Sequence, residues 1–383
     1  MRALHITSGN LYGGVETFLT TLVREAHAAP AMKTEFAVCF EGRLASELTT
    51  LGRPPQVLPA AQLSRPLAVR RARRALADLL RRESYDVVVC HQPWACVLFA
   101  SVIRSAGYPV VLWVHMASTG KHWLERLCRA SRPDVAICNS RFTADCASTW
   151  LTQTSIEYAY CPVSTNQSPL SPDARQFVRH SLQTPNDDVV VVQVSRLESF
   201  KGHRLLLEAL ATLRPLQRWT CWIVGGAQRA ADLDYVRNLQ ALARDRGIDD
   251  RVRFTGERGD IDAILSAADI YCQPNTTPEG FGLTFIEAMH AGLPVVTSGI
   301  GGACEIVSGS CGMLTPPGDI TSLAAALQRL MADADLRARL SAEARKRSHE
   351  LCDPSVQMRR IQALLTGVVS SPCLERVATV SAK

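Results

Sequence analysis

The chain has 383 residues, of which 47% are hydrophobic and 20% are charged, which is the composition of an ordinary globular protein. The length predicts two domains, each large enough to bury a core. The net charge of +6 comes from residues 1–185, which carry 20 Lys and Arg against 13 Asp and Glu; residues 186–383 carry 22 against 23. This excess of positive charge fits both an anionic partner and an Arg-rich solvated surface, so charge alone identifies no partner. Among partners, we expect no nucleic acid.

The apolar segments and the cysteines bear on the compartment. Residues 1–9 predict a first strand and lack the long apolar segment of a signal peptide, and the longest apolar stretch, around residues 95–103, is too short to span a bilayer. The thirteen cysteines lie mostly in apolar runs, which predicts small core residues in a reducing compartment. We therefore expect a cytoplasmic protein, attached at most peripherally to the inner face of a membrane.

Apolar strand-like runs alternate with longer helical patterns along the chain. Several runs are rich in Val and Ile without alternation, which is typical of parallel strands buried on both faces. The order of elements predicts an α/β protein with doubly wound parallel sheets. The predicted strands are residues 3–7, 35–40, 87–90, 110–115, 135–139, 189–195, 220–224, 252–254, 270–273 and 294–297.

A stretch rich in Pro, Ser and Asn interrupts this pattern between residues 160 and 188, and a new buried strand follows it. We therefore predict two Rossmann-like domains joined here. The predicted divisions are an N-terminal domain at 1–165, a linker at 166–187, a C-terminal domain at 188–353, a C-terminal helix at 354–369 that returns to the N-terminal domain, and a loose tail at 370–383.

Residues 65–82 are predicted to form a basic amphipathic helix. Val69, Ala72, Leu76 and Leu79 make one apolar stripe, and seven arginines lie mostly elsewhere. The pattern fits a solvated helix packed on the first sheet. It fits contact with an anionic membrane less well, because the stripe is short and Ala-rich.

The most informative stretch, residues 268–297, has the pattern of a strand, a polar turn, a Gly-rich loop, a helix and a second strand. Gly280 and Gly282 let the backbone approach a ligand closely, and the N-terminus of the following helix suits a phosphate. Glu287 in that helix can accept hydrogen bonds from ribose hydroxyls, and Glu279 in the loop can reach a sugar.

A second candidate segment follows the strand at 189–195. Arg196 and Lys201 come after its carboxyl end, where parallel α/β sheets bind ligands. A guanidinium can grip a phosphate with two parallel hydrogen bonds, and a lysine adds a compact charge. The alternative is a solvated basic loop. Gly225, after the strand at 220–224, lies where a nucleotide base could approach or simply forms a tight turn.

The N-terminal domain offers weaker candidates at the ends of its strands. Gly13 and Gly14 form a turn whose backbone amides could touch a phosphate or sugar, or an ordinary loop. His115 ends the strand at 110–115, and His91 is a similar but weaker case that could face an acceptor. The pair at 139–140 fits either a site position or a helix N-cap made by Ser140.

The Glu-x7-Glu block from Glu279 to Glu287 closely resembles the signature of glycosyltransferase family 4. It continues with Gly301-Gly302-Ala303-Cys304-Glu305 and with Cys311-Gly312-Met313-Leu314-Thr315-Pro316-Pro317-Gly318-Asp319, which are similar to the family's usual continuation. The similarity extends over nearly the whole chain. It implies the GT-B fold, in which two Rossmann-like domains with parallel sheets face each other across a cleft, the first on the acceptor side and the second binding the nucleotide sugar.

The resemblance implies a retaining glycosyltransferase that moves a sugar from a UDP- or GDP-linked donor to a glycan or lipid-linked acceptor, in surface polysaccharide or glycoconjugate biosynthesis. It implies catalytic roles for Glu279, His115, Arg196 and Lys201. The donor-binding residues that it implies are Gly13, Gly14, Arg196, Lys201, Gly225, Glu279, Gly280, Phe281, Gly282, Leu283 and Glu287.

No His or Cys grouping with metal-ligand spacing occurs in the sequence, so we expect no metal and no cofactor. Two other functions stay open. One is a GT-B nucleotide-sugar epimerase or phosphorylase, which would act on the donor without an acceptor. The other is a catalytically inactive GT-B partner protein.

Overall fold

The computed structural model describes residues 1–10, 12–164, 170–216, 218–227 and 230–370. The chain forms two compact units. The first unit consists of Met1–Ser164 together with the C-terminal segment that begins at Cys352, and the second unit is Thr165–Leu351.

In the first unit, helices alternate with strands that all pair in parallel, in the order β3-β2-β1-β4-β5-β6-β7. The elements are β1 (Arg2–Thr7), α1 (Gly14–Arg24), β2 (Lys33–Val38), α2 (Arg43–Thr50), β3 (Gln56–Val57), α3 (Pro66–Arg82), β4 (Val87–His91), α4 (Gln92–Ser105), β5 (Val110–Val114), α5 (Trp123–Ala130), β6 (Val135–Cys138), α6 (Arg141–Ser148) and β7 (Ser155–Tyr158).

The second unit repeats the design with a six-stranded parallel sheet in the order β10-β9-β8-β11-β12-β13. The elements are α7 (Pro172–Ser181), β8 (Val189–Val194), α8 (His203–Thr212), β9 (Trp219–Val224), α9 (Ala230–Asp245), β10 (Val252–Gly256), α10 (Ile261–Ala267), β11 (Ile270–Gln273), α11 (Leu283–His290), β12 (Val295–Ser298), α12 (Ala303–Ile306), β13 (Gly312–Thr315), α13 (Ile320–Ala332) and α14 (Ala334–Cys352). Helix α15 (Pro354–Ser370) then belongs to the first unit.

The burial of the central strands explains why apolar and polar residues do not alternate along them in the sequence. Every residue of β4, β5, β9 and β11 is buried, as is expected where helices cover both faces of a parallel sheet. Helix α3 packs on the first core through Ala72, Leu76 and Leu79. Most of its predicted apolar stripe is therefore core, which leaves little of it for a membrane. Within the described residues, no helix combines the length and the apolar character needed to cross a bilayer.

All ten predicted strands are present, with ends shifted by two residues at most. The strands β3, β7 and β13 were not predicted. Both residues of β3 are exposed, β7 alternates between exposed and half-buried residues, and β13 lies at the edge of its sheet. Short edge strands therefore lack the continuous apolar run that identifies the buried ones.

The prediction of a linker at 166–187 is wrong where α7 lies. Pro172 is tolerated at the start of this helix, whose N-cap Ser171 accepts a hydrogen bond from the backbone N–H of residue 174 at 3.2 Å. The helix is fixed to the second unit because Arg175 and Arg179 donate to the Asp269 carboxylate at 2.6 and 2.7 Å. Residue 165 of the predicted N-terminal domain, residues 166–169 of the predicted linker and residues 371–383 of the predicted tail lie outside the described residues.

Candidate active site

The second sheet reverses its strand order between β8 and β11, so the loops after these strands lie side by side at its carboxyl edge. Ligands of parallel α/β sheets bind outside such a switch point. The loop after β8 carries Arg196 and Lys201, and the loop after β11 carries Glu279. The fold thus places the two predicted donor-binding segments next to each other.

Lys201 and Glu279 form an ion pair at this edge. The Lys201 ammonium donates to Oε1 of Glu279, and the two side chains are only 10% and 20% exposed. On the other side of the carboxylate, Gln273 and Asn275 donate to Oε2 at 3.0 and 2.9 Å. Three donors, from the end of β11 and from the loops after β8 and β11, therefore fix both oxygens of Glu279.

These contacts determine the charge of the carboxylate. Burial alone would raise the pKa of Glu279, but the charge of Lys201 and the three hydrogen bonds outweigh burial and hold this pKa below its usual value. Glu279 is therefore ionised at neutral pH and balances Lys201. A strongly anionic ligand such as a diphosphate can compete for that ammonium.

Close backbone packing brings the two loops together. A Cβ atom on Gly202, which has φ +78°, would lie 1.9 Å from the carbonyl oxygen of Pro274, so only glycine fits next to Lys201. The backbone N–H of Thr276 donates to the carbonyl of Phe200 at 2.8 Å. The fully buried Gln193 donates its amide to the carbonyl of Lys201, also at 2.8 Å.

The motif Gly301-Gly302 has a structural role in the site. Its glycines pack directly on the backbone of residues 279–280, and added Cβ atoms would approach the carbonyl oxygens of Glu279 and Gly280 to 2.6 and 2.5 Å. The backbone N–H of Gly302 also donates to the carbonyl of Glu279 at 2.9 Å. The motif therefore supports the loop that carries Glu279.

Helix α11 begins immediately after this loop. Gly280 and Phe281 are buried. Gly282 has φ +103° and precedes Leu283, the first residue of the helix. Glu287 lies one turn further on, and burial, with a smaller contribution from the charge of Asp262, raises its pKa to about 7. The N-terminal turn of a helix and a carboxyl group thus follow the Gly-rich loop.

Two predicted residues of the second unit have simpler surroundings. Arg196 pairs with Glu198 at 3.1 Å and remains 38% exposed, so its guanidinium is accessible to a ligand. Gly225 is required by the fold itself, because a Cβ atom there would lie 2.0 Å from the carbonyl oxygen of Ser195. This close approach accounts for the glycine, and both the tight turn and a role in binding a base stay predictions.

The predicted residues of the first unit lie at the carboxyl edge of its sheet. Gly13 has extended backbone and precedes α1, and Gly14 is the first residue of that helix. His115 follows β5, and its carbonyl accepts a hydrogen bond from the side chain of Asn139 at 3.0 Å. Ser140 caps α6 by accepting from the backbone N–H of Thr143 at 3.0 Å. Asn139 thus contacts the candidate His115, and Ser140 makes the predicted N-cap.

A cavity of about 550 Å³ lies within the first unit, at the carboxyl ends of β1, β2 and β4. The switch point of this sheet is between β1 and β4. Phe40, Trp94 and Trp123 line the cavity together with polar side chains such as Asn10 and Gln62. None of the described residues that line it is charged. The lining thus suits a neutral ligand with both hydroxyl groups and apolar faces.

Sequence reasoning missed three glutamine and asparagine residues that shape the candidate site in the second unit. Gln193 and Gln273 are fully buried in β8 and β11, and Asn275 is nearly so. The available signal was a glutamine at or next to the carboxyl end of each of two largely apolar strands, since buried amides need specific partners.

Comparison with known proteins agrees with this geometry. The family model described as glycosyl transferases group 1 matches residues 174–347, and the model described as glycosyltransferase family 4 matches residues 12–167. The chain belongs to glycosyltransferase family 4. Its two Rossmann-like units are those of the GT-B fold, as predicted.

Curated relatives in this family align with part of the chain. A D-inositol 3-phosphate glycosyltransferase of Saccharomonospora viridis is 35% identical over 182 residues, which are 46% of this chain and 42% of the relative. The lipopolysaccharide core biosynthesis glycosyltransferase LpsE of Rhizobium meliloti is 32% identical over 173 residues, which are 45% of this chain and 47% of the relative. The matched stretch thus spans less than half the length of either relative.

Solved structures match over nearly the full length of the chain. HepE of Anabaena, in complex with UDP and glucose, has a TM-score of 0.84 at 24% identity and covers 96% of this chain and 100% of its own. WaaG, a glycosyltransferase involved in lipopolysaccharide biosynthesis, has a TM-score of 0.72 at 18% identity, with coverage of 96% and 100%. At these identities the likeness establishes the fold.

Proposed function

We propose that this glycosyltransferase family 4 protein is a retaining enzyme that transfers a sugar from a UDP- or GDP-linked donor to a glycan or lipid-linked acceptor in surface polysaccharide or glycoconjugate biosynthesis. The observation that carries the proposal is the ion pair between Lys201 and Glu279 at the switch point of the second sheet. The Anabaena neighbour binds UDP and UDP-glucose, which supports a nucleotide-sugar donor here.

In the proposed reaction, the bond between the anomeric carbon and the donor diphosphate breaks while the acceptor oxygen attacks from the same face. The leaving phosphate oxygen takes the acceptor proton. Arg196, Lys201 and the N-terminus of α11 stabilise the charge that develops on the diphosphate. Glu279 orients the sugar hydroxyls, Glu287 binds the ribose, and His115 contacts the transferred sugar. Because these groups already supply positive charge, we expect no metal requirement.

The donor and product test the proposal. A thermal-shift screen of UDP- and GDP-sugars is expected to identify a stabilising donor. Incubation of that donor with candidate glycan and lipid-linked acceptors is expected to give a product whose anomeric configuration, measured by NMR, matches the donor. Turnover is expected to be unchanged in EDTA. An inverted product would contradict retention, and loss of turnover in EDTA would contradict metal independence.

The same experiment separates the two alternative functions. An epimerase or phosphorylase would convert the donor without any acceptor, the phosphorylase with inorganic phosphate. An inactive partner protein would bind no UDP- or GDP-sugar. The presence of Glu279, Glu287, Arg196 and Lys201, with Lys201 and Glu279 paired at the switch point, argues against inactivity.

The cavity in the first unit supports a glycan as acceptor. Its lining combines Trp94 and Trp123, whose flat faces can stack on sugar rings, with uncharged polar side chains that can bond to hydroxyls. Its volume of about 550 Å³ lies within the range of small-ligand pockets. We propose that the terminal sugars of the acceptor bind there.

The surface next to this cavity supports a lipid-linked acceptor at an anionic membrane. On α5, Trp123 and Leu127 lie one turn apart and are 55% and 46% exposed. The basic residues Lys121, Arg126 and Arg129 are exposed beside them. Aromatic and basic side chains together are typical of a helix that rests on anionic lipid. We therefore propose that the first unit contacts the membrane through α5.

Vesicle binding tests this contact. The protein is expected to sediment with vesicles that contain anionic lipid and to bind zwitterionic vesicles much more weakly. Trp123→Ser is expected to reduce sedimentation several-fold, because it removes the largest apolar group of the surface. Phe177→Ser, which removes an even more exposed ring from the second unit, serves as the control. Equal losses in the two variants, or no binding by the unmodified protein, would contradict the assignment.

A further inference from the structure

Three histidines of the first unit form a continuous hydrogen-bonded chain. They lie on or just after the adjacent strands β1, β4 and β5. Nδ1 of His5 is 2.9 Å from Nε2 of His91, and Nδ1 of His91 is 2.8 Å from Nε2 of His115. The histidine chain thus leads from the core to His115, the residue that is proposed to contact the sugar.

The surroundings of the chain keep its rings uncharged. His5 and His91 are 0% and 1% exposed, and the aromatic rings of Phe18 and Trp113 pack against the chain. Burial lowers the pKa of His5 and of His115 to about 3 and that of His91 well below its usual value. All three imidazoles are therefore neutral at pH 7.

A neutral imidazole has one N–H donor and one acceptor nitrogen. Because His91 uses both nitrogens, it must donate to one neighbour and accept from the other. Only two arrangements satisfy both hydrogen bonds: either all three rings carry the proton on Nδ1, or all three carry it on Nε2. The tautomer of His115 is therefore coupled to that of His5, two strands away.

The inner end of the chain distinguishes the two arrangements. Nε2 of His5 is buried without a hydrogen-bond partner. With all protons on Nε2, this atom would be an unpaired buried donor, whereas with all protons on Nδ1 it is only an unused acceptor. Buried N–H groups without a partner are the rarer and costlier defect. The geometry favours the arrangement with protons on Nδ1.

We propose that His91 and His5 are positioning residues that hold His115 as a neutral imidazole with its proton on Nδ1, so that this N–H is offered to an oxygen of the transferred sugar. The role of His115 at the sugar rests on the proposed function, whereas the tautomer does not. A fixed neutral donor would bind the sugar without adding a charge close to the anomeric carbon.

The tautomer can be measured directly. Nitrogen-15 NMR of the full chain with labelled histidine, assigned by single substitutions, is expected to show His115 protonated on Nδ1 alone at pH 7. His91→Phe keeps a ring but removes both hydrogen bonds, and it is expected to give a mixture of the two tautomers at His115. A wild-type His115 that is protonated on Nε2, or charged, would overturn the proposal whether or not the protein transfers sugar.

Activity tests the consequence. His91→Phe is expected to lower kcat about fivefold to tenfold, the effect of losing one hydrogen bond. His91→Asn keeps a polar atom near the position of Nδ1 and is expected to stay within twofold of wild type. His5→Phe is expected to cost less, and nothing more when added to His91→Phe. Thermal melts establish that each variant is folded, and equal kcat in wild type, His91→Phe and His91→Asn would overturn the positioning role.

Discussion

Replacing Lys201 with Met is expected to lower kcat by about 100-fold to 1,000-fold, the loss typical of removing one preorganised charge that stabilises a developing anion. Lys201 is buried in the loop after β8. Its charge is therefore fixed in place before the donor binds. Donor affinity, measured by thermal shift, is expected to fall as well. A Lys201→Met variant that binds donor as tightly as wild type would show that this ammonium does not contact the diphosphate.

The same substitution has a pH-dependent effect on stability. In the wild type the pKa of Glu279 is lowered, so its ionised form contributes stability at neutral pH that is lost as the pH falls through that pKa. Without Lys201, burial dominates and the pKa of Glu279 rises, and the unpaired carboxylate destabilises the fold by about 3–5 kcal/mol at pH 7. The difference in Tm between variant and wild type is therefore expected to shrink from pH 7 to pH 5.

A matched control separates this effect from general charge removal. Lys346 is exposed on α14, where its distance to Glu343 is 4.0 Å. Lys346→Met is expected to leave kcat within twofold of wild type. The difference in Tm between this variant and wild type is expected to be close to zero at both pH 7 and pH 5, because exposed pairs contribute little. If Lys201→Met and Lys346→Met behaved alike in folded protein, the assignment of the donor phosphate to Lys201 would be wrong.

The sequence predicted those features that depend on local patterns. Buried strands such as β4 and β9 are continuous apolar runs, and the Gly-rich loop before α11 has a distinctive composition. A common site for Lys201 and Glu279 could be proposed because both residues follow strands of one sheet, whereas their ion pair was not predicted. Parallel strands end at a common edge, so this much follows from topology.

The contacts that fix the site could not be predicted, because they join residues far apart in the chain. Nothing in the sequence indicates that Gly202 must pack on the backbone of Pro274, or that Gly301 and Gly302 support the loop of Glu279. The histidine chain likewise depends on the order β1-β4-β5, which brings together residues that are 24 and 86 positions apart. Helix α7 was missed because Pro172 ends some helices and begins others.

Replacing Glu279 with Gln is expected to lower kcat by about 100-fold while the product keeps the donor's anomeric configuration. A carboxylate can accept hydrogen bonds at both oxygens, and here it accepts from Lys201 on one side and from the amides of Gln273 and Asn275 on the other. A glutamine must turn its own NH₂ group toward one of these sides. The resulting contact between donors displaces either Lys201 or the two amides.

Glu343→Gln, an exposed change on α14, is the control for this loss and is expected to leave kcat unaltered.

The remaining question is whether Glu279 attacks the sugar or orients it. In the structure three donors bind its two oxygens and so occupy about three of the four lone-pair sites of the carboxylate, which lowers its nucleophilicity. We therefore expect no glycosyl-enzyme intermediate. Glu279→Ala supplied with azide is expected to form no glycosyl azide, whereas an enzyme that has lost a carboxylate nucleophile can use azide in its place. A glycosyl azide of the opposite anomeric configuration to the donor, or a sugar trapped covalently on Glu279 of the wild type, would assign Glu279 as the nucleophile.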